Sequence, residues 1–464
     1  MNILVLGGSP KGEKSVTMQY VRFLELSFPE HAFETVQVSQ GIRRLEEDPA
    51  CFGAVLDRVR AADLVLWATP VYYFLVPSQL KRFIELIGER DSGEAFAGRP
   101  GAALTTSIHF FDQTAHAYLQ GVGEDLGMPW LGSHSAEMMD LTRPEGQAAL
   151  LGFARDILDG VARRRNPPRV FEPAPPHGRV YEPGPPSPPV DQGSRRVLLV
   201  THRDPRAPNL ARMVDRLAAA FARPAEVADL SLVAIRAGCQ GCLRCGFDNQ
   251  CVFEGKDDHI DFFREKVMAA HILVFAGAVR DRYLSARWKA FFDRSFFRGH
   301  APSLSGKQVA WVVAGPLRRL PHLREIMEAY PQLQQASLSG IVTDEEPDSA
   351  RVDAALDDLA ARLAVWSAQG RRPAVTFPGV GGHKLFRDAV WGDLRFVFQA
   401  DHRAYRRLGF YDFPQKRPGL RLLHLAAPLL RLPPVRRRFM ARMADGMLMP
   451  FRRILSRMDP QGRG

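Results

Sequence analysis

Short apolar runs alternate with amphipathic stretches over most of the chain. Asn2–Leu6 and Val197–Val200 are such runs, each followed by a polar loop and a segment with helical spacing, Thr17–Leu26 and Leu210–Ala222. Ala62–Thr69, Gly101–Thr106, Ile272–Gly277 and Val309–Ala314 are further apolar runs, with amphipathic Phe52–Ala61, Ser78–Ile87 and Ile260–Ala269 between them. A strand that is apolar at consecutive rather than alternate positions has both faces buried. Such strands, alternating with helices, predict an α/β fold in which helices cover both faces of a parallel sheet.

The pattern occurs twice. Trp67–Lys81 aligns without a gap with Phe275–Lys289, and Arg82-Phe83-Ile84-Glu85 continues onto Ala290-Phe291-Phe292-Asp293, an offset of 208 residues. The opening strands, aligned at Ile3 and Val197, are offset by 194, so the second copy carries about 14 extra residues in between. Between the copies, ten prolines fall within Pro167–Pro189, which excludes helix and central strand and predicts an extended connector. The expected organisation is a first domain over 1–163, a proline-rich linker over 164–195, a second domain over 196–370 and an extension over 371–464.

At 464 residues, 46% hydrophobic and 24% charged, the chain is too long for one small core and too apolar for wholesale disorder. Its net charge of +11 is local: residues 371–464 hold 20 basic and 6 acidic side chains, whereas the first 370 hold 42 and 45. The paired domains thus have no electrostatic reason to bind nucleic acid. Four of the five cysteines (Cys239, Cys242, Cys245, Cys251) lie within 13 residues, which reads as a metal or redox site in a reducing compartment. The first residues lack the basic region of a secretory signal, and no run reaches the roughly 18 apolar residues of a membrane span. A cytoplasmic protein is expected.

Two loops carry the candidate chemistry of the first copy. Gly7-Gly8-Ser9-Pro10-Lys11 through Thr17 follows the first strand and opens a helix; amide groups at a helix start, small hydroxyls and a lysine make a phosphate cradle. It matches neither the Walker A pattern nor Gly-x-Gly-x-x-Gly. Thr69-Pro70-Val71-Tyr72-Tyr73 follows a later strand at the same sheet edge, where doubly wound sheets bind ligands. Thr105-Thr106-Ser107 adds hydroxyls there.

These motifs make the first block similar to the flavodoxin-like NAD(P)H-dependent FMN reductases, over most of residues 1–150. The resemblance implies that Ser9, Lys11, Ser15 and Thr17 hold the FMN phosphate. It implies that Pro70, Val71, Tyr72 and Tyr73 border the isoalloxazine ring, with Thr106 and Ser107 nearby. Val16 stands where the family often has Asn, and Glu85 where it often has Asp. The expected fold is two flavodoxin-like doubly wound domains plus a basic helical extension.

The second block resembles the iron–sulfur flavoprotein branch of that superfamily, through Gly238-Cys239-x2-Cys242-x2-Cys245-x5-Cys251 and the following Lys256-Asp257-Asp258. Four closely spaced thiolates suit a [4Fe–4S] cluster; zinc and a metal-free redox thiol set are the other readings. Where the first copy has Pro70, Tyr72 and Tyr73, the second has Ala278, Arg280 and Asp281, and its first loop, Thr201–Pro205, lacks Gly-Ser-Pro. A second FMN is therefore not expected; Arg280, Arg282 and Tyr283 are candidates for a phosphate or nucleotide contact, or for a salt network.

The expected function is an FMN-dependent NAD(P)H oxidoreductase, with the two blocks as an intrachain pseudo-dimer. Electrons would pass from flavin to the cluster and on to an unidentified acceptor. The alternatives are a flavin electron carrier without its own nicotinamide site and a membrane-associated binding protein. Gly379–Lys384 is expected as a turn. In the tail, Arg436-Arg437-Arg438 leads into an amphipathic stretch with Met440, Met443, Met447, Met449, Phe451 and Ile454. It reads either as a peripheral membrane contact or as a helix docked on the protein itself.

Overall fold

The computed structural model describes residues 1–173, 179–372, 374–412 and 420–458. The chain divides into two compact units: Met1–Pro173 with Gly238–Gly241 and Leu429–Gly464, and Ala174–Ala237 with Cys242–Pro428. The middle of the expected connector, 174–178, and residues 413–419 of the extension lie outside the described residues.

In the first unit the order is β1 (Asn2–Gly7), α1 (Val16–Ser27), β2 (Ala32–Val36), α2 (Ile42–Glu47), α3 (Pro49–Ala61), β3 (Leu64–Pro70), α4 (Ser78–Glu89), β4 (Gly101–Ser107), α5 (Asp112–Asp125), β5 (Trp130–Glu137) and α6 (Pro144–Ala162). The five strands form one parallel sheet in the order β2-β1-β3-β4-β5. The apolar runs become β1, β3 and β4, with Ile3–Leu6, Leu64–Ala68 and Ala102–Leu104 buried. Strand order reverses between β1 and β3, which opens a crevice at their carboxyl ends.

The second unit repeats this plan with β6 (Val197–Thr201), α7 (Pro208–Ala219), β7 (Glu226–Asp229), α8 (His259–Phe262), β8 (Ile272–Ala278), α9 (Ala286–Ser295), β9 (Gln308–Ala314), α10 (Pro321–Leu333), β10 (Ser337–Thr343) and α11 (Ser349–Gln369). Its parallel sheet runs β10-β9-β8-β6-β7, the same order read from the other edge. Both copies are therefore flavodoxin-like α/β units. The cysteine segment occupies the connection between β7 and α8. The amphipathic stretch expected over Ile260–Ala269 is α8 followed by a π-helical turn, Phe263–Val267. Part of the proline-rich segment is strapped to this unit, where Tyr181 is buried, donates its N–H to Asn209 Oδ1 (2.9 Å) and donates its hydroxyl to Asp353 (2.6 Å).

The basic extension is helical but divided. α12 (Phe377–Trp391) and α13 (Gln399–Arg407) belong to the second unit, where Val390, Phe398, Ala404 and Tyr405 form a small core with Ala301. The turn expected at Gly379–Lys384 is instead inside α12. Pro378 suits a first helical turn, and Gly379 lets the backbone close on α10: a Cβ there would lie 2.8 Å from Gln332 Oε1. Packing overrides the low helix propensity of glycine. After α14 (Leu420–Ala426), α15 (Pro433–Met458) joins the first unit. Leu448, Phe451 and Leu455 enter the core that also holds Met18, Tyr20 and Val21 of α1. Of the two readings of the tail, the docked helix describes this apolar face. No helix among the described residues is long and apolar enough to cross a membrane.

Candidate functional site

The ten flavin-site residues expected in the first copy come together on one sheet edge. Pro70 ends β3 and pairs in register with Thr106 of β4, whose carbonyl accepts from Val71 N–H at 3.0 Å. The loop after β1 lies tight against β3 and α4: a Cβ on Gly8 would fall 2.6 Å from Leu80 Cδ2 and 2.7 Å from Thr69 Oγ1. Ser9 is buried and its Oγ accepts from Lys11 N–H (3.2 Å), while Gly12 N–H closes a turn onto Ser9 carbonyl (3.1 Å). Ser15 caps α1 by accepting from Met18 N–H (3.2 Å). The hydroxyls of Thr17 and Thr106 bond each other at 2.6 Å, which ties the first loop to the third. Ser107 Oγ accepts from His109 N–H at 2.8 Å.

The aromatic turn has a defined geometry. Tyr72 and Leu75 exchange two backbone hydrogen bonds (2.7 and 3.1 Å), and the central residues Tyr73 (φ 44°) and Phe74 (φ 70°) are both left-handed. That is the geometry of a tight two-residue hairpin turn, adopted here by bulky residues that normally avoid it. Phe74 is buried, whereas Val71, Tyr72 and Tyr73 stay half-buried at the edge. Such strain collects at functional sites, and here it leaves two phenol rings at the crevice mouth. The second copy keeps the turn: Arg280 and Tyr283 exchange the same bonds, with Asp281 (φ 42°) and Arg282 (φ 62°) left-handed. Its chemistry differs, because Arg282 and Tyr283 are buried and the carbonyl of Arg282 accepts from His322 Nε2 at 2.7 Å.

Several residues of this edge escape sequence reasoning. Phe110 and Phe111 extend the aromatic cluster, with ring centroids 5.3 and 4.8 Å from that of Phe74. Beside them Asp112 receives hydrogen bonds from Ser135 and His109, the latter at 2.9 Å. Burial pushes the Asp112 carboxyl up, but those bonds outweigh it and hold it below the ordinary value. His116, bonded to Thr105 (2.7 Å), is brought by burial down to about 4 and so stays neutral. The Phe110-Phe111 pair directly after a strand was the available signal. No local signal marks Gly238–Gly241, which belongs with this unit. The carbonyl of Cys239 accepts from Gln79 Nε2 (3.2 Å), and a Cβ on Gly241 (φ 61°) would lie 2.0 Å from Tyr72 Oη and 3.0 Å from Lys11 Cε. Only glycine allows that backbone so close to the candidate ring and phosphate residues.

FMN is the group implied by the resemblance, and these residues fit it. A buried hydroxyl loop with a lysine at a helix start suits the phosphate, and the half-buried tyrosine turn suits a planar ring. The expected [4Fe–4S] cluster is not supported. Among the described residues no three His, Cys, Asp or Glu side chains gather as metal ligands, so zinc is unsupported too. In the first unit the Cys239 carbonyl is held by Gln79, and in the second the buried Cys245 thiol points to the Phe296 carbonyl (3.6 Å). Asp257, which follows the cysteines, forms a buried bidentate pair with Arg294 (2.7 and 2.9 Å). That pair anchors the segment as structure.

Comparison with known proteins gives the family. The family described as NADPH-dependent FMN reductase matches residues 1–137 and again 201–339. A curated relative, FMN-dependent NADH:quinone oxidoreductase 2 of Pseudomonas syringae pv. tomato, is 28% identical over 116 residues, covering 19% of this chain. The match spans 56% of that relative's own length. Among solved structures, the flavoenzyme NAD(P)H:(acceptor) oxidoreductase FerB from Paracoccus denitrificans is 20% identical, covering 35% of this chain and 97% of its own, with a TM-score of 0.28. An FMN-dependent NADH-azoreductase from Bacillus anthracis is 15% identical, covering 36% and 100%, with a TM-score of 0.27.

Proposed function

Because the chain belongs to the NADPH-dependent FMN reductase family, with both of its α/β units matched, we propose that it is an FMN-dependent NAD(P)H oxidoreductase whose flavin site is the carboxyl edge of the first sheet. The observation that carries the reading is the convergence of Ser9, Lys11, Ser15 and Thr17 with Pro70, Val71, Tyr72, Tyr73, Thr106 and Ser107 at the β1/β3 crevice. When bound, FMN supplies the ring that accepts a hydride from NAD(P)H and returns electrons to an acceptor.

The chain's own residues bind and orient. Lys11 and the amides of the β1–α1 loop offer positive charge to a phosphate. Ser9 and Ser15 shape that loop through their hydrogen bonds to Lys11 and Met18. Tyr72 and Tyr73 offer apolar faces to one side of the ring, and the Phe74–Phe110–Phe111 cluster keeps their turn from shifting. The second unit keeps this turn but places Asp281 and the buried Arg282 where the first has Tyr73 and Phe74, so one flavin per chain is proposed. A quinone is the first acceptor to test, since the curated relative is named for one.

The test is anaerobic. FMN-saturated chain is mixed with NADPH or NADH, and the flavin absorbance is followed in a stopped-flow instrument. Direct bleaching, with one flavin per chain, supports the reading. Bleaching only when a separate reductase is supplied would make the protein an electron carrier instead.

A further inference from the structure

Cys239 stands 160 residues beyond Gln79 in the chain, yet Gly238–Gly241 packs with the first unit. This four-residue segment is fixed at both ends. At one end, Gln79 Nε2 on the first turn of α4 donates to the Cys239 carbonyl (3.2 Å), and a Cβ on Gly238 would lie 2.0 Å from Ser78 Oγ. Ser78 and Gln79 are both buried, so this end rests on the body of the unit. At the other end, Gly241 meets Tyr72 and Lys11, where a Cβ would lie 2.0 Å from Tyr72 Oη and 3.0 Å from Lys11 Cε. Between the ends the segment braces itself: Gln240 Nε2 donates to the Gly238 carbonyl (3.0 Å), and Gly241 N–H donates to Cys239 Sγ (3.4 Å).

The two side chains beneath Gly241 serve opposite ends of the expected ligand. Lys11 belongs to the candidate phosphate loop and Tyr72 to the candidate ring turn. Main chain that touches both lies across the span between them, and a ligand held at both leaves only after that main chain moves. Glycine is needed at the contact itself. In the left-handed backbone of Gly241 (φ 61°), any other residue would bring strain and a collision with the Tyr72 hydroxyl.

On the reading that this crevice holds FMN, we propose that Gly238–Gly241 is a clasp closed over it, latched by Gln79, and that the clasp keeps FMN as a resident cofactor. A reductase that releases reduced flavin for use elsewhere needs rapid exchange of the flavin. A clasped site has the opposite property. Flavin stays with the chain between turnovers, and the acceptor is a small oxidant that comes to the protein rather than free FMN.

The test follows flavin release from the full chain. FMN-loaded protein is diluted, and the fluorescence of the freed flavin is recorded for wild type, Gln79→Ala and Gly241→Ala. Gln79→Ala removes the latch, and losing one such hydrogen bond should speed release about three- to tenfold. Gly241→Ala places a methyl group against Tyr72 in strained backbone, and release should rise by roughly tenfold or more. Hydrogen exchange at the 239–241 amides should slow when FMN binds the wild type and change less in Gly241→Ala. Should Gly241→Ala fail to fold, Gln79→Ala and the wild-type exchange decide the matter. FMN that binds but leaves both variants at the wild-type rate would overturn the clasp and leave the flavin site standing. So would variants that only bind FMN faster, since the segment would then exclude flavin rather than hold it. A wild-type chain that binds no FMN would overturn the clasp and the flavin site together.

Discussion

Phe451→Ala tests the placement of the C-terminal helix. Phe451 is wholly buried on α15, and its ring centroid lies 6.1 Å from that of Tyr20 of α1 at a tilt of 56°. Tyr20 is itself fixed, donating to the Glu137 carbonyl (2.7 Å) and accepting from Leu141 N–H (2.8 Å). The neighbourhood therefore has little freedom to collapse into the space left behind. Truncating a buried Phe to Ala costs about 3–5 kcal/mol, of which roughly 0.5–1.5 belongs to the aromatic pair. At a urea dependence of about 2 kcal/mol per molar, the first unit's midpoint should fall by about 1.5–2.5 M. Phe451→Leu, which keeps most of the volume, should cost less than about 1.5 kcal/mol. The assay is urea unfolding of the full chain by circular dichroism, with hydrogen exchange of the α1 amides to assign the loss to this unit. A change below about 0.5 kcal/mol, the range of an exposed substitution, with α1 protection unaltered, would refute the docking of α15.

Other expected outcomes concern the site, the buried ion pairs and pH. Tyr73→Ala should weaken FMN binding about tenfold, read from the quenching of flavin fluorescence; an unchanged Kd would remove Tyr73 from the ring site. Lys289 and Asp293 form an ion pair with no exposed surface, mirrored by Lys81 and Glu85 at 3.1 Å. Lys289→Met should destabilise by about 3–5 kcal/mol in chemical denaturation, and adding Asp293→Leu should recover part of it; a double variant no better than the single would contradict this. His116 and His322 are lowered by burial from 6.5 to about 4. Because the unfolded chain protonates them first, stability is full above pH 6.5 and declines as pH falls from 6.5 towards 4. The shift of each corresponds to about 3 kcal/mol, so His322→Gln should flatten the acid limb of a urea-midpoint profile, and an unaltered limb would refute the assignment.

Much of the architecture was legible because it rests on local pattern. Consecutive apolar positions in Ile3–Leu6, Leu64–Ala68 and Leu198–Val200 can be satisfied only by strands covered on both faces. The ungapped match of Trp67–Lys81 with Phe275–Lys289 returned as two strands, two left-handed turns and two buried Lys–carboxylate pairs. The candidate flavin loops were legible for the same reason, since each lies directly after a strand and a parallel sheet puts all such loops on one edge.

What the sequence determined by itself was therefore the two α/β copies, the edge that carries the candidate site and the family. The tertiary structure decided everything that depends on contacts between distant residues. Gly379 sits in a helix where Gln332 packs on it. The cysteines read as one ligand set because they are close in sequence, but among the described residues no three metal-ligating side chains gather. The tail's apolar stripe is as consistent with lipid as with protein until α1 is seen beneath it. Periodicity says that a face must be buried; only the folded chain says against what.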